Sequence, residues 1–174
     1  MSFWWERSQD PETAQTAFRA AMTGHLVLST LHTKSAVGVI TRLTDLGSEP
    51  FIIASSLVGV LSQRLVRTIC KSCKEDCQPN HDLLGEMGVE DDRSAHFSRG
   101  RGCEACDDTG YRGRIGLAEL LAIDQGIRDL IVGRKPEEEI LRAGIKGGMK
   151  LLLQDGIDKA RAGLTTLEEV FRVV

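Results

Sequence analysis

No stretch of these 174 residues approaches a membrane span: the longest apolar-rich run, Pro50 to Leu61, falls well short of the ~20 residues that crossing a hydrocarbon core requires. Met1 to Gln9 lacks the basic start followed by an apolar core that marks an export signal. Excess positive charge is missing too, since 22 Lys and Arg face 25 Asp and Glu for a formal net charge of −3. No global field therefore draws the chain to nucleic acid or anionic lipid. Aromatic residues are scarce at 5%, and Tyr111 alone accompanies the local basic residues Arg99, Arg101, Arg112 and Arg114, which leaves few platforms on which bases could stack. A glycine-rich loop ending in Lys-Ser or Lys-Thr, the usual phosphate cradle, does not occur. Internal repeats and low-complexity tails are absent as well. What remains is a chain expected to be cytoplasmic, with 41% hydrophobic residues and a length at which folding buries roughly 70% of the unfolded surface.

Local signals predict an α/β order. Asp10, Pro11 and Glu12 supply a cap, a proline at the first helical position and an acid near the positive end of the dipole, so a helix is expected from Pro11 to about Met22, ended by Thr23 and Gly24. His25 to Leu31, HLVLSTL, reads as a buried strand of the kind covered on both faces. Ser35 caps a second helix in which Val37, Ile40 and Leu43 recur at helical spacing until Gly47 closes it. A short helix restarts at Pro50, and Val58 to Ile69 reads as a strand, with a longer helix as the competing reading. From Cys70 to about Arg112 the apolar content falls, and the composition is that of irregular loops in need of a staple. A strand is expected over Ile115 to Ile123, then helices over Gln125 to Val132, Glu137 to Ala143 and Met149 to Ala162. A final helix follows Thr166, which with Glu169 has the spacing of a capping box.

Five cysteines without a secretion signal shift the expectation from disulfides to metal or reactive thiols. Cys70-Lys-Ser-Cys73 and Cys103-Glu-Ala-Cys106 each wrap one edge of a ligand tetrahedron from a single tight turn, which is the spacing of a zinc site. Gly100, Gly102, Gly110 and Gly113 flank the second pair and supply backbone freedom. Four thiolates around Zn²⁺ carry a formal charge of −2, which Lys71, Lys74, Arg101 and Arg112 are placed to offset. With no position left for water, the expected role is structural. Cys77, four positions after Cys73, reads as a bystander that could replace a neighbour as ligand. The bland alternative is two unrelated pairs of free thiols.

Four segments in order, DPETAQTAFRAAMTGHLVLSTLHT, RLTDLGSEPFIIASSLVGVLSQRLVRTICKSC, GCEACDDTGYRGRIGLAELL and DGIDKARAGLTTLEEV, resemble the C-terminal half of the type II secretion and type IV pilus assembly ATPases, over Asp10 to Val174. The resemblance implies the C-terminal half of a RecA-like α/β domain with an inserted tetracysteine zinc subdomain and a helical C-terminal region. It divides the chain into an unrelated N-terminal segment (1–9), a partial ATPase domain (10–69), a zinc subdomain (70–114) and a C-terminal strand and helical region (115–174). It implies ATP and Mg as cofactors of the intact family, and hexamers of secretion or pilus machinery at the inner membrane that drive assembly of pilin-like fibres. His25 and His32 resemble the family's histidine-box positions near the nucleotide phosphates. His32 is the better placed, because ligands of open α/β sheets bind past the carboxyl ends of strands. Seven positions along a strand would set the two rings on opposite faces, so they are not expected to ligate zinc.

Departures from the family pattern are equally specific. Arg7 stands where the magnesium-associated acid is expected, Gln9 replaces an arginine, and Glu6 is one position out of register. With the P-loop missing as well, the chain is expected to be a fragment or gene remnant that is inactive alone. Two other classes compete. A zinc-stapled chaperone module shares part of GCEACDDTGYRG with the J-protein repeats, although the Cys70 pair lacks their glycines and only two pairs occur. A zinc-ribbon nucleic-acid binder would use the four arginines named above, against the acidic net charge.

Overall fold

The computed structural model describes residues 2–4, 10–78, 81–88 and 96–174. In chain order the elements are β1 (Ser2–Trp4), α1 (Pro11–Met22), β2 (Leu26–Leu28), α2 (Gly38–Asp45), α3 (Pro50–Ser56), β3 (Gly59–Ile69), β4 (Lys74–Cys77), α4 (His81–Glu86), β5 (Phe97–Gly100), β6 (Tyr111–Ala122), α5 (Gln125–Val132), α6 (Glu137–Lys146), α7 (Leu152–Arg161) and α8 (Leu167–Val173). Two compact units form, each from two stretches of chain: Met1–Ser62 with Glu119–Met149, and Gln63–Ala118 with Lys150–Val174. β3 and β6 pair with each other along their length. Ile123 N–H reaches Val58 O at 3.0 Å and Cys70 N–H reaches Gly110 O at 2.9 Å, so the two strands run in opposite directions.

In the first unit the Asp10 carboxylate accepts the Thr13 N–H and the Thr13 hydroxyl, both at 2.8 Å, and α1 starts where the cap and Pro11 predict. Those bonds, the backbone one first, hold the Asp10 carboxyl below its ordinary range. Ser35 accepts the Gly38 N–H at 3.1 Å, opening α2, whose Val39, Ile40 and Leu43 are buried. Asp124 caps α5 by accepting the Ile127 N–H at 2.8 Å. Helix α3 lies against α1 and α5, and α5 against α6, around a core that includes Ile53, Leu121 and Ile127.

β2 departs from expectation. It is three residues long, pairs in parallel with β1 in the register Ser2↔Leu26, Phe3↔Val27 and Trp4↔Leu28, and leaves Leu26 56% and Leu28 48% exposed. A run of branched and apolar residues sets the propensity for a strand, but burial needs covering elements, and the described residues supply none over these two side chains. The residues Glu6, Arg7 and Gln9 on which the magnesium-site reading turns lie outside the described residues.

The second unit gathers Val66, Leu117, Leu152, Ile157, Leu167 and Val170 with Leu84 and Phe97. Gly156 lets α7 and α8 approach so closely that a Cβ there would collide with Val170. Within 70–112, expected to be irregular, β4 and β5 form an antiparallel hairpin in the register Lys74↔Gly100 to Cys77↔Phe97, and α4 contributes Leu83 and Leu84 to the core, joined by Met87 just past its end. β6 starts at Tyr111, four residues before the expected Ile115. Helix α7 spans Leu152–Arg161, within the expected Met149 to Ala162. Of the capping box at α8, half forms. Thr166 accepts the Glu169 N–H at 3.3 Å, while the Glu169 carboxylate turns to arginines instead of returning to Thr166.

Candidate metal centre

Cys70 and Cys73 follow the end of β3, with Cys73 N–H turning back to Cys70 O at 3.3 Å. Cys103 and Cys106 bracket a single 3-10 turn, Glu104–Cys106, with Cys106 N–H on Cys103 O at 3.0 Å. Arg101 N–H to Cys73 O at 3.1 Å ties one knuckle to the other. The four sulfurs lie within 4.8 Å of one another, and three of the pairs are separated by 3.9 Å (Cys70 and Cys103), 3.8 Å (Cys73 and Cys106) and 3.7 Å (Cys103 and Cys106). A tetrahedron with Zn–S of about 2.3 Å has edges of about 3.8 Å. Those three separations match the spacing that one zinc ion demands.

The surroundings act on the thiols in opposite directions. Cys106 Sγ receives the N–H groups of Cys103 and Gly110, each at 3.3 Å. Burial alone would push this thiol up, but those two backbone donors and the neighbouring thiols of Cys103 and Cys73 bring it down to about 7. Burial pushes Cys73 up to about 12 and Cys103 above its ordinary value, so without a cation beside them these two thiols keep their protons. Cys77 is not in the group. It sits in β4 opposite Phe97, half-buried against the second unit's core, and burial raises its thiol as well.

The loop that delivers Cys103 and Cys106 passes back over β5 at two glycines. A Cβ on Gly100 or on Gly110 would drive into the other's backbone, and Gly110 also holds φ at +76°. The close approach is what puts the Gly110 N–H on the Cys106 sulfur.

The two histidines occupy different settings. His25 is half-buried just before β2, its Nδ1 3.0 Å from Thr23 Oγ1 and 3.3 Å from Ala20 O, at the end of α1. His32 is exposed, four residues past β2. Among the described residues, the four cysteines are the group of His, Cys, Asp and Glu side chains close enough to hold a metal, and neither histidine belongs to it.

Two buried carboxylates have roles that the sequence reading did not assign, Glu119 unnamed there and Glu169 named only as half of a capping box. Glu119, 5% exposed, accepts the Ala36 N–H at 2.8 Å and so fixes the start of α2 and the turn after His32. Its signal was an acid at an inward position of β6, between buried Leu117 and Leu121, where alternation calls for an apolar residue. Glu169, 2% exposed, accepts from the Arg67 backbone at 3.1 Å, from the Arg67 guanidinium, and from Arg172 at 3.1 and 3.0 Å. The Arg67 bond first, then Arg172, outweighs burial and lowers its carboxyl to about 2.

A mixed helix and strand framework brings two distant Cys-x-x-Cys turns into one group of four thiols that could hold a metal ion. The family of the chain follows from comparison with known proteins. The chain belongs to the family described as Type II/IV secretion system protein, which it matches over residues 8–172. It is 48% identical over 164 residues to the type IV pilus assembly ATPase PilB of Thermus thermophilus, covering 93% of this chain and 18% of that protein. To the type II secretion system ATPase E of Vibrio cholerae it is 46% identical over 165 residues, covering 95% of this chain and 33% of the relative. The chain thus spans a third or less of the length of these relatives. The crystal structure of the pilus retraction motor PilT with bound ADP superposes at a TM-score of 0.66 with 25% identity, over 99% of this chain and 39% of that one. The ATPase DotB of Legionella pneumophila shares the fold at a TM-score of 0.64 and 21% identity, over 99% of this chain and 38% of that one.

Proposed function

We propose that these residues form the C-terminal, zinc-stapled part of an ATPase that powers type II secretion or type IV pilus assembly. The observation that carries the reading is a tetrathiol site at zinc spacing, inside a chain matched to the secretion family over residues 8–172. Cys70, Cys73, Cys103 and Cys106 hold the ion, which offsets two of the four thiolate charges and fixes the 70–114 segment. The site is closed, so its role is structural. This reading also favours a ring of copies, a homo-hexamer, in which His32 and His25 face nucleotide bound elsewhere.

Mg-ATP does not fit the residues present here by themselves. The chain has no glycine-rich cradle with its lysine and hydroxyl, His32 is exposed, and His25 is engaged with the end of α1. No catalytic step is therefore derived from this chain alone. Purified protein never exposed to chelator, assayed for metal, tests the first part: one equivalent of zinc is expected, and less than about half an equivalent removes the reading. A salt titration of DNA binding tests the nucleic-acid alternative, which requires a steep salt dependence that this reading does not expect.

A further inference from the structure

The chain on either side of the metal loops is tied to α8 and to the residues that lead into it. Ile69, which precedes Cys70, donates its N–H to Leu164 O at 3.0 Å. Cys70 N–H goes to Gly110 O at 2.9 Å, and Gly110 N–H goes to the Cys106 sulfur at 3.3 Å. The next residue, Tyr111, places its hydroxyl 2.9 Å from the Thr166 hydroxyl, the cap of α8. Thr165, fully buried, donates its hydroxyl to Arg67 O at 2.8 Å, and Glu169 binds Arg67 and Arg172 as described above. The Arg67 guanidinium lies 4.2 Å from the Tyr111 ring centroid, which closes the circuit between β3, β6 and α8.

Groups that orient metal ligands from outside commonly change metal affinity 10- to 100-fold when removed. Here the group that reaches a ligand is Gly110, next to Tyr111 at the start of β6, and what holds Tyr111 and the end of β3 is α8 with the residues that lead into it. We propose that the Arg67, Tyr111 and Glu169 clasp is the outer support of the tetrathiol centre, so that metal retention and docking of α8 are one coupled unit. By linkage the coupling is reciprocal: metal steadies the helix as much as the docked helix steadies the metal. Tyr111 and Glu169 are then positioning residues for the metal. The inference rests on the zinc reading of the site.

The test uses the full chain loaded with zinc. Metal content is measured first, and absence of zinc overturns both the reading and the coupling. With zinc bound, two readouts address the coupling alone. Amide exchange is followed before and after zinc is withdrawn by chelator, and zinc release to a colorimetric chelator is timed for Tyr111→Phe, Glu169→Gln and the control Lys150→Ala. Lys150→Ala breaks an exposed pair with Asp158 on α7 of the same unit. Expected is an acceleration of exchange in α8 of about tenfold or more on zinc removal, with α7 changing far less. Release is expected to be about threefold or more faster in both clasp variants and unchanged in the control. Tyr111→Phe removes a single hydroxyl, so it serves even where Glu169→Gln folds poorly. Unaltered α8 exchange, equal acceleration of α7 and α8, or wild-type release from the Tyr111 variant overturns the proposal.

Discussion

Cys103 and Cys77 carry the same thiol in the same unit and differ in what surrounds it. Cys103 has the sulfurs of Cys70 and Cys106 at 3.9 and 3.7 Å, whereas Cys77 faces Phe97 across the β4 and β5 ladder. Cys103→Ser should release the metal and open residues 70–114 to protease, because a tetrathiol site loses geometry and charge balance together. Cys77→Ser should keep one equivalent of zinc and wild-type protease resistance. Elemental analysis with limited proteolysis of both variants decides it, and equal zinc loss would mean that Cys77 is a ligand. Gly110 makes a sharper case. Alanine there would meet the Gly100 backbone at a φ of +76°, so Gly110→Ala should cost about 3 kcal/mol in denaturant unfolding, overpacking and backbone strain together.

At the scale of elements, the pH response belongs to the β3 and α8 junction. Glu169 has its carboxyl lowered to about 2 from an ordinary 4.5, with Arg67 as the first cause. The folded state therefore binds its proton less readily than the unfolded one, and the contribution is full above about pH 4.5 and lost as pH falls toward 2. Glu169→Gln should cost about 2 kcal/mol at neutral pH and flatten the acid limb of a stability against pH curve over that window. An unchanged acid limb in the variant would assign the acid sensitivity to other groups. Glu119→Ala should likewise loosen the start of α2, at about 2 kcal/mol, because it leaves the Ala36 N–H without its carboxylate. Where the controlling contacts are local, these elements were legible in advance. Asp10 with Pro11 set the start of α1, Gly47 follows α2 at a φ of +82°, and the two Cys-x-x-Cys spacings marked four thiols that the fold brings within 4.8 Å of one another. The β4 and β5 hairpin was not legible, because KEDC and FSRG show no alternation of apolar residues and their pairing joins positions 20 to 26 apart. The clasp was hidden for the same reason, since Arg67 and Glu169 are 102 residues apart and Glu169 looked like half of a capping box.

At the scale of the whole molecule, each compact unit is assembled from one stretch on either side of the other's chain, so neither is a contiguous segment that could be read off by composition. The exposed Leu26 and Leu28 belong to the first unit, and so does His32. The second unit holds the four clustered cysteines, the clasp and α8. Phosphoryl transfer rests on positioning and on charges set around the phosphates, and neither unit contains the glycine-rich cradle that supplies them. The zinc-loaded chain should therefore release no phosphate above background at saturating Mg-ATP, even at concentrations that favour oligomers. It should also bind nucleotide weakly, since an exposed histidine offers one contact where a cradle offers many. Phosphate release and nucleotide binding measured on the same preparation, with His32→Ala alongside, test this. Turnover by the chain that disappears in the His32 variant would show that a complete nucleotide site lies within these residues, and would reverse the assignment of this chain to a supporting part of the motor.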